Sequence, residues 1–321
     1  MLTVRSLAPE LVLAAIDDAR RASAGPVVAS FTGGEPLLHP AFGALVAALR
    51  AREVAWRVTT NGWHFKRLAA HLDAAPAQLV RLSLSGATAA THDADRGRGS
   101  FERVLRSLMV CTSRRIPTAF SFIIDERTHG ELDAVAALAA SLGVQRLHYI
   151  LPQPVPGSVA RGSDLPPAAW AGVRDRVHAI AATAPLAVQL DYGAPVDGPE
   201  PVCDTLAGGR LYIDARGQLS DCCQLSEYGE VESDVIGSLE ARSLTAWLPT
   251  VLARRDALAA AQAKRHDPGD GLDPFPCLRC ARATGKLAWL AAHPDSPWHA
   301  AAFGARDGAG AAESPCHAVA A

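Results

Sequence analysis

The first stretch of the sequence with the residue types of a binding site is a turn of two glycines, an acid and a proline. Gly33, Gly34, Glu35 and Pro36 follow the apolar run 27–31 and precede a helical pattern. Glycine lets backbone N–H and C=O groups approach a ligand where a Cβ would clash, and the Glu35 carboxylate would suit an ammonium group. An ordinary strand-to-helix turn uses the same residue types, so this stretch alone leaves both interpretations open.

Four cysteines in the C-terminal half form two pairs. Cys203 is the first and Cys222 the last residue of a C-x13-G-x4-C pattern. Cys277 and Cys280 form a CxxC pair at the predicted start of a helix. A single CxxC pair serves zinc, redox and iron–sulfur sites alike. Two pairs make a complete thiolate set for zinc or an iron–sulfur cluster. The positive end of the helix dipole is expected to favour the ionised form of Cys277.

The other three cysteines are weaker candidates for ligands. Cys111 lies in an apolar helical pattern and is expected to be a core thiol. Cys223 is an alternative ligand beside Cys222, and Cys316 lies in an Ala/Gly-rich tail and is not expected to bind metal. The eleven histidines lack metal spacing, and neither His39 nor His92 is a catalytic candidate.

Repeated strand and helix patterns would position the first of these sites. Apolar runs typical of strands occupy 27–31, 54–60, 79–85, 118–124 and 144–150. Helical patterns lie near 40–52, 63–73, 100–114 and 129–142. The spacing between successive strands is that of βα units. Strands as apolar as these are typical of a parallel sheet covered by helices. Ligands of these folds bind at the carboxyl ends of the strands, where the glycine turn, Thr60, Asn61, Ser83 and Ser85 are expected.

The predicted fold class is α/β, a partial (β/α)6 TIM-like barrel followed by a small α+β domain. A hairpin is predicted over 210–223 and helices near 166–183 and 240–263. The predicted domains are a barrel core (1–157), a helical linker (158–198), a cysteine-containing domain (199–292) and a flexible tail (293–321).

Bulk composition excludes several classes of protein. The chain has 321 residues, 49% of them hydrophobic, and a net charge of −2 with scattered lysines and arginines. We therefore expect no nucleic-acid or membrane surface. The N-terminus is predicted to be an amphipathic helix and not a signal peptide, so we expect a cytoplasmic protein.

Three segments together resemble the core of radical S-adenosylmethionine (SAM) enzymes. They are FTGGEPLLHP (31–40), TTNG (59–62) and LSLSGATAATHDADRGRGSFERVLRSL (82–108), and the resemblance covers about residues 7–157. In that family the GGEP turn holds the amino group of SAM, and residues after later strands contact its carboxylate and ribose. The resemblance implies SAM-binding roles for Gly33, Gly34, Glu35, Pro36, Thr60, Asn61, Ser83 and Ser85.

The cysteine-containing domain is similar to the SPASM/twitch modules of the same family. The C-x13-G-x4-C pattern fits their opening, but Lys286 stands where the third cysteine of a SPASM continuation would be. The resemblance therefore implies a twitch-type module with one auxiliary [4Fe–4S] cluster on Cys203, Cys222, Cys277 and Cys280. A structural zinc site remains the alternative.

Two departures from the family pattern affect the expected activity. Ser85 replaces the usual aspartate, and the C-x3-C-x2-C loop that binds the SAM-cleaving [4Fe–4S] cluster is absent from the printed sequence. An apolar strand at 27–31 would also lack a preceding partner, which proteins usually avoid. Either a preceding segment supplies the loop, or another chain completes the sheet, or the protein is a degenerate relative; we favour the first. As written, the chain is not expected to cleave SAM.

The resemblance implies a radical SAM oxidoreductase or maturase that abstracts hydrogen from a peptide or small polyol. It also implies an electron donor such as flavodoxin or ferredoxin. Two other hypotheses remain open: a non-catalytic relative or partner subunit with one auxiliary cluster, and a zinc-stabilised α/β binding protein.

Overall fold

Alternating apolar strands and helices build one parallel sheet over the first 190 residues. The computed structural model describes residues 6–191, 193–195, 203, 205–226, 232–263 and 271–304. The strands of the sheet are β1 (Val28–Phe31), β2 (Ala55–Thr60), β3 (Leu79–Leu84), β4 (Thr118–Ile123), β5 (Arg146–Ile150) and β6 (Ala187–Leu190). They pair in chain order, each parallel to the next, so their carboxyl ends lie at one edge of the sheet.

Helices follow the strands and cover one face of the sheet. They are α1 (Pro9–Ala22), α2 (Phe42–Ala51), α3 (Phe65–Ala74), α4 (Ala89–Arg96), α5 (Ser100–Ser113), α6 (Leu132–Ser141), α7 (Pro156–Arg161) and α8 (Trp170–Thr183). The ring of Trp56 on β2 meets Phe42 of α2 at 5.8 Å between centroids. The Tyr149 hydroxyl of β5 donates to the Leu132 carbonyl of α6. Because side chains alternate along a strand, the residues between these lie on the opposite, inner face.

The sheet contains a strand that the sequence analysis did not identify. The segment 158–198, expected to be a helical linker, contains α8 as predicted but also β6, which pairs with β5. Only four residues form β6, and its exposed and partly buried positions alternate because it lies at the sheet edge. So short a pattern is a weak signal beside the helix that precedes it.

The C-terminal part forms a small antiparallel sheet with helices. Its elements are β7 (Tyr212–Ile213), β8 (Gln218–Ser220), α9 (Cys223–Ser226), β9 (Val235–Ser238), α10 (Leu244–Ala263), α11 (Pro276–Ala283) and α12 (His299–Phe303). The predicted hairpin is present between β7 and β8, with Gly217 at φ +76° and its N–H donating to the Asp214 carbonyl. The predicted helix at Cys277 begins one residue earlier, at Pro276.

Part of the segment predicted to be a flexible tail is ordered. Trp298, within 293–321, is only 2% exposed and packs on Phe275 with ring centroids 4.9 Å apart. An apolar indole of this size is stabilised by burial, so the ordered core extends to α12. Cys316 and the residues on either side of the predicted domain boundary at 198–199 lie outside the described residues. Within the described part, no helix has both the length and the apolar character needed to cross a bilayer.

Helix α1 connects the barrel to the C-terminal part. Its Ile16 lies in the main core, whereas Ala15 packs in a second apolar cluster with Leu219 of β8 and Leu244 of α10. On the same helix, the Asp18 carboxylate accepts a hydrogen bond of 3.1 Å from the Thr245 N–H in the first turn of α10. The two parts are therefore joined by apolar packing and by one buried carboxylate.

Replacing Asp18 with Ala is expected to destabilise the protein by about 1 kcal/mol, the typical cost of a lost helix cap. Burial opposes ionisation of Asp18, but hydrogen bonds from Thr245 and Arg21 outweigh it and hold its pKa below the ordinary value. Its stabilising contribution is thus present above the unfolded-state pKa and is lost as the pH falls through the folded-state pKa. Urea unfolding should show a larger difference in the free energy of unfolding between the unmodified chain and Asp18→Ala at pH 7 than at pH 3. Asp175→Ala, in an exposed pair with Arg174, is the control, and an equal effect from it would contradict this role.

Candidate cofactor and metal site

The turn after β1 is open and has a conformation that favours glycine. Gly33 and Gly34 have φ values of +80° and +48°, where an L side chain is strained. A Cβ built on either residue would meet no heavy atom within 4 Å. Both glycines are exposed, so their backbone groups are accessible to a ligand. The close backbone approach predicted from the sequence is geometrically possible at this turn.

The Glu35 carboxylate fastens this turn to the end of β2. Its Oε1 accepts hydrogen bonds from Thr60 Oγ1 at 2.8 Å and from the Leu37 N–H at 3.1 Å, and its Oε2 accepts from the Asn61 N–H at 2.9 Å. Pro36 is buried and begins a short 3-10 helix. Glu35, Thr60 and Asn61 are thus brought together as predicted, but Glu35 uses both oxygens to hold the loops.

Ser85 at the end of β3 is enclosed by residues that the sequence analysis did not assign to the site. Its Oγ accepts from Arg96 Nε at 2.6 Å, and its N–H donates to His92 Nδ1 at 3.1 Å. Burial, followed by the nearby Arg96 charge, lowers the pKa of His92 to about 4, so this ring is neutral at pH 7. Ser83 lies two residues earlier on the same strand and is partly buried. The sequence feature that could have indicated this contact is Arg96, which lies one helical turn after His92 in α4.

The RGRGSF segment places α5 through a carboxylate outside the motif. Asp93 accepts from the backbone N–H groups of Gly99 and Phe101, at 2.6 and 2.8 Å, and from the Ser100 hydroxyl at 3.0 Å. These hydrogen bonds, those from the backbone first, lower the pKa of Asp93. The Asp93 carboxylate therefore caps the first turn of α5.

The four candidate cysteines share one neighbourhood in the C-terminal part. Cys203, Cys222 and Cys280 each affect the pKa of Cys277 through charge. Gln262 Nε2 lies 3.0 Å from Cys280 Sγ. Among the described residues, no three Cys, His, Asp or Glu side chains are arranged as a site for a single metal ion. Ligation by these four cysteines stays a prediction.

The expected preference for an ionised Cys277 is wrong for the chain alone. Burial raises the pKa of Cys277 well above its ordinary value and that of Cys280 to about 12. In contrast, hydrogen bonds from Cys223 and from the backbone of α9 lower the pKa of Cys222 to about 6. Helix position alone does not decide the charge state, because desolvation outweighs the dipole at Cys277.

Buried ion pairs hold the cysteine-bearing segments together. Lys286, at the position of the third SPASM cysteine, lies with its Nζ 2.6 Å from Asp234 Oδ1, and both side chains are 2% exposed. Asp221, beside Cys222, receives Arg254 Nε at 2.9 Å and Nη2 at 2.5 Å. An ion pair thus occupies the position of the third SPASM cysteine and links the turn after α11 to the turn before β9.

The barrel segment matches a known family. Residues 2–139 match the family model described as the Radical SAM superfamily. This part of the chain is therefore similar in sequence to radical SAM proteins. Mycofactocin maturase MftC of Mycobacterium ulcerans (strain Agy99) is 38% identical over 121 residues, which are 36% of this chain and 33% of the relative. The matching region therefore spans about a third of that relative's length.

Solved structures of radical SAM enzymes have the same fold. The structure described as native anSMEcpe with bound AdoMet has a TM-score of 0.61 at 14% identity and covers 90% of this chain and 91% of its own. Streptococcus suis SuiB bound to precursor peptide SuiA has a TM-score of 0.57 at 12% identity and covers 85% of this chain and 63% of its own. The predicted α/β partial barrel is confirmed.

Lys286→Ala is expected to lower the free energy of unfolding by about 3–5 kcal/mol, because it leaves the Asp234 carboxylate buried without its partner. The double variant Lys286→Met, Asp234→Leu should recover most of this loss, since it removes both charges. Chemical denaturation measures both effects. The exposed pair of Arg106 and Glu102 provides the control, and Arg106→Ala should change stability by less than about 1 kcal/mol. A loss from Lys286→Ala no larger than the control would contradict this account.

Proposed function

We propose that the protein is a radical SAM-type maturase that binds SAM at the Gly33–Gly34 turn and modifies a peptide. The observation that carries this proposal is the open, left-handed turn fastened by Glu35 to Thr60 and Asn61 at the carboxyl ends of β1 and β2. The match of residues 2–139 to the Radical SAM superfamily model supports it. The likeness to a maturase and to a precursor-peptide complex supports a peptide as the substrate.

The residues of the turn fit the amino group of SAM through their backbone. Both Glu35 oxygens already accept internal hydrogen bonds, so the carboxylate orients the loop, and the carbonyl groups of Gly33 and Gly34 are proposed to accept from the ammonium. Asn61, Ser83 and Ser85 lie at the ends of the neighbouring strands and are proposed to line the rest of the pocket. SAM, when bound and reductively cleaved, supplies hydrogen abstraction from the substrate.

The cysteine neighbourhood is proposed to hold one auxiliary [4Fe–4S] cluster. Four cysteine thiols near one another fit the donor chemistry of such a cluster, which is held by four thiolates. The proposed electron donor is a small redox protein of the flavodoxin or ferredoxin class. The SAM-cleaving cluster does not fit the residues present, because Cys111 is the one cysteine of the barrel and its burial raises its pKa to about 12. SAM cleavage is therefore not assigned to these 321 residues alone.

Gly34→Val should weaken SAM binding by about tenfold or more, because a branched side chain is strained at φ +48° and would project into the open turn. Equilibrium dialysis with radiolabelled SAM measures the affinity, and circular dichroism confirms that the variant is folded. Gly25→Val is the matched control, since a Cβ there also meets no neighbour and its φ is not in the left-handed region. Equal SAM affinity in the two variants would place the SAM site elsewhere.

Replacing any one of Cys203, Cys222, Cys277 or Cys280 with Ala should remove most of the bound iron and destabilise the C-terminal part, since ligation is coupled to folding. Iron, sulfide and zinc analysis of anaerobically purified protein measures the result. Cys316→Ala should leave the iron content unchanged. Zinc in place of iron and sulfide would favour the zinc alternative, and iron loss from Cys316→Ala would overturn the ligand assignment.

A further inference from the structure

Three polar side chains meet on the inner face of the sheet, away from the covering helices. Ser121 of β4 and His148 of β5 are direct register partners. Arg81 of β3 pairs with Ala119, one inner-face position before Ser121. The residues between them, such as Leu82, belong to the apolar core. The strand register therefore groups these three side chains, which lie far apart in the sequence.

Each of the three has a buried polar atom without a partner. Arg81 Nε, Ser121 Oγ and His148 Nδ1 are buried and make no hydrogen bond to any residue that the structure describes. Ser121 is 3% exposed. Buried polar groups are nearly always paired, and leaving one unpaired costs roughly 1–3 kcal/mol. Three such groups in neighbouring inner-face positions make this part of the sheet a candidate site for a polar ligand.

The charges around these groups favour an anion. After burial, the positive charges of Arg210, Arg57 and Arg146 all lower the pKa of Arg81, and Asp191 is the acid that opposes them. The Asp191 carboxylate also receives a hydrogen bond from Gln224 at 3.4 Å. Three guanidinium groups and one acid thus act on Arg81, which leaves a local excess of positive charge.

We propose that Arg81, Ser121 and His148 form a recognition site for a carboxylate of the substrate. This proposal rests on the proposed peptide-modifying function and specifies which group of the peptide is bound. The Arg81 guanidinium would donate charge-assisted hydrogen bonds to the carboxylate, and the Ser121 hydroxyl would donate another. An acidic side chain and a free C-terminus present the same group, so the chemistry defines the carboxylate and the experiment identifies its source.

Arg81 lies below the SAM end of the barrel, whereas Ser121 is the register partner of Ser83, which is proposed to line the SAM pocket. Arg81 and Ser85 lie on one strand four residues apart, which corresponds to about 13 Å along the strand. An extended peptide covers this length with about four residues. A carboxylate held at Arg81 would therefore direct residues a few positions away toward the loops after β1, β2 and β3.

Binding of three synthetic peptides to the full chain tests the proposal without requiring turnover. The probes are Ac-AAEAA-NH2 with an acidic side chain, Ac-AAQAA-OH with a free C-terminus, and the neutral Ac-AAQAA-NH2. Titration calorimetry at low and high salt should show that at least one acidic peptide binds about tenfold or more tightly than the neutral one. Arg81→Gln and Ser121→Ala should remove this preference, and the exposed Arg106→Gln should retain it. Because no SAM cleavage is read, inactivity of the chain would count against the proposed function and leave this result unaffected.

A stability measurement separates a binding role from a structural one. Removing a desolvated cation that repels its neighbours should leave the melting temperature of Arg81→Gln equal to or above that of the unmodified chain. A structural Arg81 would give a lower melting temperature. That result, or equal binding of the neutral peptide and both acidic peptides, would overturn the proposal.

Discussion

The parallel register of the six strands is the constraint on which both proposed binding regions depend. It brings the carboxyl ends of β1, β2 and β3 together, where Glu35 can reach Thr60 and the Asn61 N–H. The same register places His148 opposite Ser121 on the inner face. Since side chains alternate along every strand, a slip of one residue would exchange the inner polar groups with the apolar residues that face the helices. Packing of the helices therefore fixes the chemistry of the inner face as well as the fold.

A few carboxylates hold the connections that this register leaves undefined. Glu35 joins the loops after two strands, Asp93 caps the helix behind the third, and Asp18 joins α1 to α10. Each accepts hydrogen bonds from backbone N–H groups, which an ionised carboxylate accepts strongly. In the C-terminal part, Asp221 instead pairs with the partly exposed Arg254, and Asp234 pairs with the buried Lys286. The loops of the barrel are thus organised by capping and the cysteine-bearing segments by ion pairs.

The sequence was sufficient to predict the strands whose apolar runs are long, because these depend on local pattern. It was not sufficient for β6, whose four residues form an edge strand. It also did not predict that the Glu35 carboxylate accepts hydrogen bonds from Thr60 and Asn61, because these contacts depend on loops that meet only after folding. The ionisation of Cys277 was predicted from its helix position and was wrong, because burial depends on the packing of segments distant in sequence.

Some buried polar groups of the protein have well-formed partners, whereas others have none among the described residues. Asp18 and Asp221 are buried carboxylates with well-formed partners, as expected of groups that stabilise a fold. Arg81, Ser121 and His148 bury polar atoms with no partner among the described residues, and Arg81 lies among other cations. Such positions cost folding stability, and proteins retain this kind of local conflict chiefly at functional sites. Glu35 shows the opposite arrangement in the turn after β1, where a carboxylate with three hydrogen bonds leaves the backbone of two glycines exposed. One end of the barrel is therefore suited to bind through backbone groups and the inner face through side chains, which is consistent with two different ligands meeting inside one sheet.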